Sequence, residues 1–116
     1  MNIYLMVNIY LVSSEINDQK VYKIGITKRA IEKRIKEFKT GNASELLLVD
    51  HFNSKWATKI ESHLHRYFKA KRIKGEWFDL SDEDLEKFKP MCEQLHENFN
   101  IIERSNTYYI DRGERF

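Results

Sequence analysis

The run Val7-Asn-Ile-Tyr-Leu-Val-Ser-Ser-Glu-Ile-Asn-Asp-Gln-Lys-Val-Tyr-Lys-Ile-Gly-Ile-Thr27 decides the fold. Ile3, Val7, Ile9 and Leu11 are apolar at odd positions, and Tyr4, Asn8 and Tyr10 fall between them. Side chains alternate across a strand, so this period of two predicts a strand over roughly residues 3–12. Val21 to Ile26, rich in β-branched and aromatic residues, predicts a second strand. Polar Glu15 to Gln19 reads as the turn between them. That link is too short for a crossover helix, so the pair is expected to be antiparallel.

Downstream, Thr27 can cap a helix over Ala30 to Lys39, with Ile31, Ile35 and Phe38 on one face and Gly41-Asn42 as its stop. Leu46 to Phe52 predicts a third strand. Asn53 or Ser54 then caps a second helix with the stripe Trp56, Ile60, Leu64 and Tyr67. Lys74 to Phe78 reads as irregular or a short strand. Ser81 with Asp84 approximates a capping box. The helical region after it buries Leu85, Phe88, Cys92, Leu95 and Phe99. Pro90 either follows a helix ending near Lys89 or opens a new one. Ile101-Ile102 and Tyr108 to Ile110 suggest a small terminal hairpin around Ser105-Asn106, and Asp111 to Phe116 a frayed end.

The expected architecture is α+β: a central three-stranded antiparallel sheet, roughly residues 3–12, 21–26 and 46–52, flanked by helices. Residues 1–80 form the core, and 81–116 a C-terminal helical extension of the same domain. The single cysteine, Cys92, excludes an intrachain disulfide, and four histidines without a C-x-x-C pair disfavour structural zinc. No apolar run reaches the roughly 18 residues of a membrane span, and the start does not read as a signal peptide. A cytoplasmic protein is expected, in the host cytoplasm if the chain is viral.

The net charge of +2 is unevenly spread. Lys28 to Lys39 holds six basic and two acidic residues, and Lys55 to Lys74 holds seven Lys or Arg and one acid, Glu61. Such runs suit a phosphate backbone, although solvated helix faces carry the same pattern.

Taken in order, Tyr10 on strand one, Lys23-Ile24-Gly25 on strand two, Lys33-Arg34 on helix one, Glu61 on helix two and Gly75-Glu76-Trp77-Phe78 form a set that resembles the GIY-YIG nuclease superfamily. More closely it resembles the branch of phage T5 open reading frame 172 and meiotically upregulated gene 113, which carries a Lys-Ile-Gly-x-Thr strand and a Gly-Glu-Trp-Phe segment. The likeness covers about Val7 to Leu80. Asn8-Ile9-Tyr10 aligns with Gly-Ile-Tyr, and Lys23-Ile24-Gly25 with Tyr-Ile-Gly, so Lys23 stands at the second named tyrosine. The late asparagine of many members has no clear match.

The resemblance implies a fold, a partner and a reaction: a metal-dependent endonuclease cutting DNA to a 5′-phosphate and a 3′-hydroxyl. Arg34 matches the catalytic arginine and Glu61 the metal ligand, for one Mg²⁺ or Mn²⁺. A guanidinium can fork a phosphate, and a carboxylate oxygen suits a hard cation. Tyr10 would help activate water; its phenol, with a pKa near 10, is a poor base unless Lys23, a metal or Arg34 nearby lowers that value. Lys23 would hold the phosphate, and His65, one turn after Glu61, would assist as a base. Thr27, Lys28, Arg29, Lys33 and Lys36 are expected to meet DNA phosphates.

Plainer readings stand beside these: Glu61 as a helix partner of His65, Arg34 as a surface arginine, Tyr10 as a half-buried strand tyrosine. Two alternatives remain open at the level of function, a catalytically inactive DNA-binding module and a regulatory or protein-interaction domain. A homodimer or a protein partner would supply any strong sequence preference.

Overall fold

The computed structural model describes residues 7–28, 30–40 and 46–105. The expected roles of Ile3, Tyr4, Arg29, Gly41, Asn42 and the segment after Ser105 lie outside the described residues, as do the side chains of Ile35 and Phe38. The fold is α+β, an antiparallel sheet flanked by helices and followed by a C-terminal helix.

Strand β1 (Val7–Ile16) and strand β2 (Gln19–Thr27) form the expected antiparallel hairpin, with Tyr10 opposite Gly25 and Val12 opposite Lys23. The turn is tighter than expected. Only Asn17 and Asp18 lie in it, at φ 52° and 65°. Two consecutive left-handed residues continue the right-handed strand twist, and Asn and Asp tolerate that conformation best after glycine. Strand β3 (Leu47–Ser54) pairs antiparallel with the other side of β1, with a bulge where Leu11 meets Asp50 and Val12 meets Leu48.

Among the described residues the sheet has five strands rather than three. Arg72–Lys74 (β4) and Trp77–Phe78 (β5) form a short antiparallel hairpin whose second strand joins β2, giving the order β3-β1-β2-β5-β4. Tyr22 faces Phe78 and Lys23 faces Trp77. Gly75, at φ +57°, occupies the turn, where a side chain would be strained. Strands of two and three residues carry no readable alternation, which is why this segment looks irregular in the sequence.

The sheet is covered on both faces. Ile9, Leu11, Tyr22 and Ile24 pack with Ala57, Ile60 and Leu64 of helix α2 (Ala57–Tyr67) and with Phe88, Cys92 and Phe99 of helix α3 (Asp82–Ser105). On the opposite face Tyr10 and Val12 pack with Ile31 of helix α1 (Ile31–Thr40). Burial of Tyr10 at 1% exposure is deeper than a half-buried strand tyrosine.

Thr27 closes β2, and the Ala30 carbonyl receives the first helical amides, from Lys33 and Arg34. Three local expectations are corrected. Ser54, fully buried, accepts a bond from the Trp56 amide at 2.9 Å, but the N-cap is Trp56. Tyr67 is 55% exposed, and its place in the α2 stripe passes to Phe68, which is 3% exposed. Finally, α3 runs unbroken through Pro90 and includes Ile101-Ile102, so these do not form a hairpin strand. Pro90 is exposed, as is Glu86 four residues earlier. The carbonyl that loses its partner therefore faces water, and burial of Phe88 and Cys92 on either side outweighs the kink penalty.

The capping box at the start of α3 is present. Ser81 Oγ accepts from the Asp84 amide at 3.2 Å, and Asp84 accepts from the Ser81 amide at 2.9 Å. Lys71 also bonds the buried Asp84 carboxylate, which ties the turn before β4 to α3.

Candidate metal and phosphate site

Tyr10, on β1, points toward α1 because its neighbours Ile9 and Leu11 fill the opposite core. Its phenol lies across Gly25 of β2. A Cβ on Gly25 would fall 2.5 Å from the Tyr10 hydroxyl oxygen and 3.0 Å from Glu76 Oε1. Gly25 lies inside β2, which runs on to Thr27. It is the floor of a cradle in which a phenol and a carboxylate meet, and any side chain would fill it.

Helix α1 supplies the next group. Ile31 is buried against Tyr10 and Val12, and Arg34, three residues on, lies on the same side of the helix. Arg34 is half-buried and hydrogen-bonds the Tyr10 side chain. Lys33 and Lys36 are exposed on other faces of α1, and Lys28 is exposed just before it. Thr27 is buried at 7% exposure, so of the proposed DNA contacts it is the least accessible one described.

Helix α2 approaches from the other side. Ile60 and Leu64 are buried, which sets Glu61 and His65, each one residue further along, at the border of the apolar stripe. His65 is held twice. Its Nε2 lies 2.9 Å from the Ile24 carbonyl, and its ring meets Phe78 edge-on with centroids 5.1 Å apart. A carbonyl only accepts, so Nε2 carries the proton and the lone pair of the neutral ring lies on Nδ1.

The group that sequence reasoning missed is Glu76. The Ile24 amide donates to the Glu76 carbonyl at 3.2 Å, which extends the β2–β5 contact and delivers this residue to the site. The Gly-Glu-Trp-Phe segment signals its presence, but Trp77 and Phe78 dominate that segment as packing residues. Phe78 is indeed fully buried and Trp77 half-buried. Ligand atoms of Glu61, His65 and Glu76 all lie within 4.8 Å of one another.

Charge in this cluster is finely opposed. Burial pushes the Glu61 carboxyl above its usual range; His65 and Lys23 pull it down, while Glu76, which shares a hydrogen bond with it, pushes it up. A cation between the two carboxyls would relieve this opposition. Tyr10 is also shifted upward, first by burial and then by Glu76 and Glu61, against the lowering effect of Arg34. Arg34 lowers the phenol's pKa as expected, but burial outweighs it and the net shift is upward. A buried hydroxyl beside two carboxylates remains protonated.

The cluster can chelate a divalent metal ion: two carboxylates and an imidazole converge, and the mutual repulsion of the acids favours a positive charge among them. Among the sequence-selected residues, Tyr10 and Arg34 are in contact, and His65 and Lys23 each act electrostatically on Glu61.

Comparison with known families adds an independent finding. The model of the T5orf172 domain matches residues 8–93, from β1 into α3. No curated protein and no solved structure matches the chain.

Proposed function

The chain belongs to the T5orf172 family, which lies within the GIY-YIG nuclease superfamily, and on that premise we propose that it is a metal-dependent endonuclease hydrolysing DNA phosphodiester bonds. One observation carries the reading: the Glu61–His65–Glu76 cluster lies within electrostatic reach of a Tyr10–Arg34 pair.

Glu61 and Glu76 would hold the ion, Mg²⁺ or Mn²⁺, which when bound supplies positive charge to the scissile phosphate. Arg34 forks the phosphate and stabilises the charge gained in the transition state. Its bond to Tyr10 orients the guanidinium before substrate arrives. Lys23, on β2, adds a second positive charge, at the position of the family's second tyrosine. Tyr10, as a neutral phenol, helps activate the attacking water by holding it with a hydrogen bond. The water oxygen bonds to phosphorus and releases its proton to solvent, the bond to the 3′-oxygen breaks, and that oxygen takes up a proton from solvent, leaving a 5′-phosphate and a 3′-hydroxyl.

DNA is held by Lys28, Lys33 and Lys36, all exposed, with Arg29 and Thr27 as proposed neighbours. Strong sequence preference would come from a second copy of the chain or a protein partner. No helix among the described residues is long and apolar enough to cross a membrane.

Supercoiled plasmid incubated with and without Mg²⁺ or Mn²⁺ tests the reading: relaxation or linearisation only with metal is the expected result. The upward shift of Tyr10 favours one competitor, a DNA-binding module without catalysis. Binding that survives EDTA with no cutting under either metal would select it.

A further inference from the structure

His65 reads from the sequence as an assisting base, but its geometry is that of a ligand. Its Nε2–H is committed to the Ile24 carbonyl at 2.9 Å, and the edge of Phe78 blocks free rotation of the ring. Metal-bound histidines characteristically donate their second ring N–H to a carbonyl or carboxylate, which fixes the tautomer and aims the lone pair. Glu61 lies one helical turn earlier, and the backbone bond between Ile24 and Glu76 brings the third donor to the same place. Ile24 thus organises two of the three donors at once, His65 through its carbonyl and Glu76 through its amide.

We propose that Glu61, Glu76 and Nδ1 of His65 form a mixed oxygen–nitrogen site selective for a first-row transition ion of the Mn²⁺ class over Mg²⁺. The proposal rests on the metal-dependent reading above and goes further by naming the donor set and the ion class. Mg²⁺ prefers oxygen ligands in near-ideal octahedral geometry and keeps its waters. An imidazole held in place gives it little, whereas first-row ions gain from nitrogen. Lys23 and Arg34 flank the site as positive groups, which limits the charge it can gain and further disfavours a weakly held ion.

The test uses the full chain without DNA. Pulsed electron paramagnetic resonance of the Mn²⁺-loaded protein should show coupling to an imidazole ¹⁴N, replaced by ¹⁵N coupling when the histidines are labelled. His65→Gln, whose amide can still donate to the Ile24 carbonyl, should lose that coupling and narrow the Mn²⁺ to Mg²⁺ affinity ratio measured by calorimetry. Glu76→Gln should weaken Mn²⁺ binding about tenfold or more while retaining the coupling. Mn²⁺ bound without nitrogen coupling, coupling that persists in His65→Gln, unchanged affinity in Glu76→Gln, or no Mn²⁺ binding would each overturn the proposal. The labelled wild type gives an answer even if a variant misfolds. Cleavage with Mg²⁺ but no nitrogen coupling would remove this inference and leave the nuclease reading standing. Nitrogen coupling without cleavage of any DNA would do the reverse.

Discussion

Tyr10 and Gly25 face each other across the β1–β2 ladder, and the phenol of the first occupies the space a side chain on the second would need. A Cβ there would lie 2.7 Å from Tyr10 Cζ. Gly25→Ala must therefore displace the ring, the Arg34 bond that depends on it, or both. Overpacking of this kind costs about 1–3 kcal/mol. We expect that decrease in urea unfolding, together with a fall in single-turnover cleavage. Cleavage by Gly25→Ala at the wild-type rate would deny the cradle its role.

Glu61→Ala should abolish metal-dependent cleavage and leave the fold intact. The side chain is half-buried at the border of the α2 stripe, and its removal opens no cavity between Ile60 and Leu64. Without metal, stability should hold or rise slightly, because burial and Glu76 both disfavour its charge. Single-turnover kinetics at saturating enzyme separates chemistry from binding. Cleavage at the wild-type rate would end the assignment of Glu61 as a ligand.

Asp84 gives the fold a defined acid sensitivity. Burial alone would raise its pKa, but Lys71 and the two Ser81 bonds outweigh that and hold it below the usual carboxylate value. A lowered folded pKa contributes stability that is fully present above the unfolded value, near 3.9, and is lost as pH falls through the folded value. Asp84→Asn should cost about 1–2 kcal/mol at pH 7, with the gap to wild type closing below about pH 4. Urea unfolding across pH 3–7 reads this directly, and a gap independent of pH would contradict it.

Cys92 is a core residue. It is fully buried, and burial, with Asp50 nearby, pushes its thiol up to about 12. Reaction with a disulfide reagent in the native protein should be slow and should accelerate on unfolding, because the thiolate is the reactive form. Cys92→Ser should destabilise by about 1–3 kcal/mol by burying a hydroxyl among Phe88, Phe99 and their neighbours. Rapid native labelling would show that α3 opens readily.

Lys33 and Lys36 should act through charge alone. Both are exposed on α1, away from the buried face of Ile31. Replacing either by Ala should weaken DNA binding similarly for every sequence and reduce the log–log salt slope by about 0.9 for each phosphate left unneutralised. Arg34→Ala should slow cleavage much more than it weakens binding. An unchanged slope in the double lysine variant would place the DNA on another face.

Alternation in Val7 to Leu11 and the apolar spacing of Ile60 and Leu64 were enough to specify the hairpin, α2 and the faces they bury, because these patterns depend only on each element's own period. The same logic set Arg34 beside Ile31, and Glu61 and His65 beside the α2 stripe. What the sequence could not decide depends on distances between segments. Tyr67 and Phe68 differ by one helical step, and only the packed core chose Phe68. Helix α3 continues through Pro90 because tertiary burial on either side outweighs a local rule. Glu76 acquires meaning solely from the Ile24 amide that binds its carbonyl, a bond between residues far apart in the chain. The upward shift of Tyr10 likewise comes from the fold: burial raises it against the pull of Arg34, and no linear pattern encodes a dielectric environment.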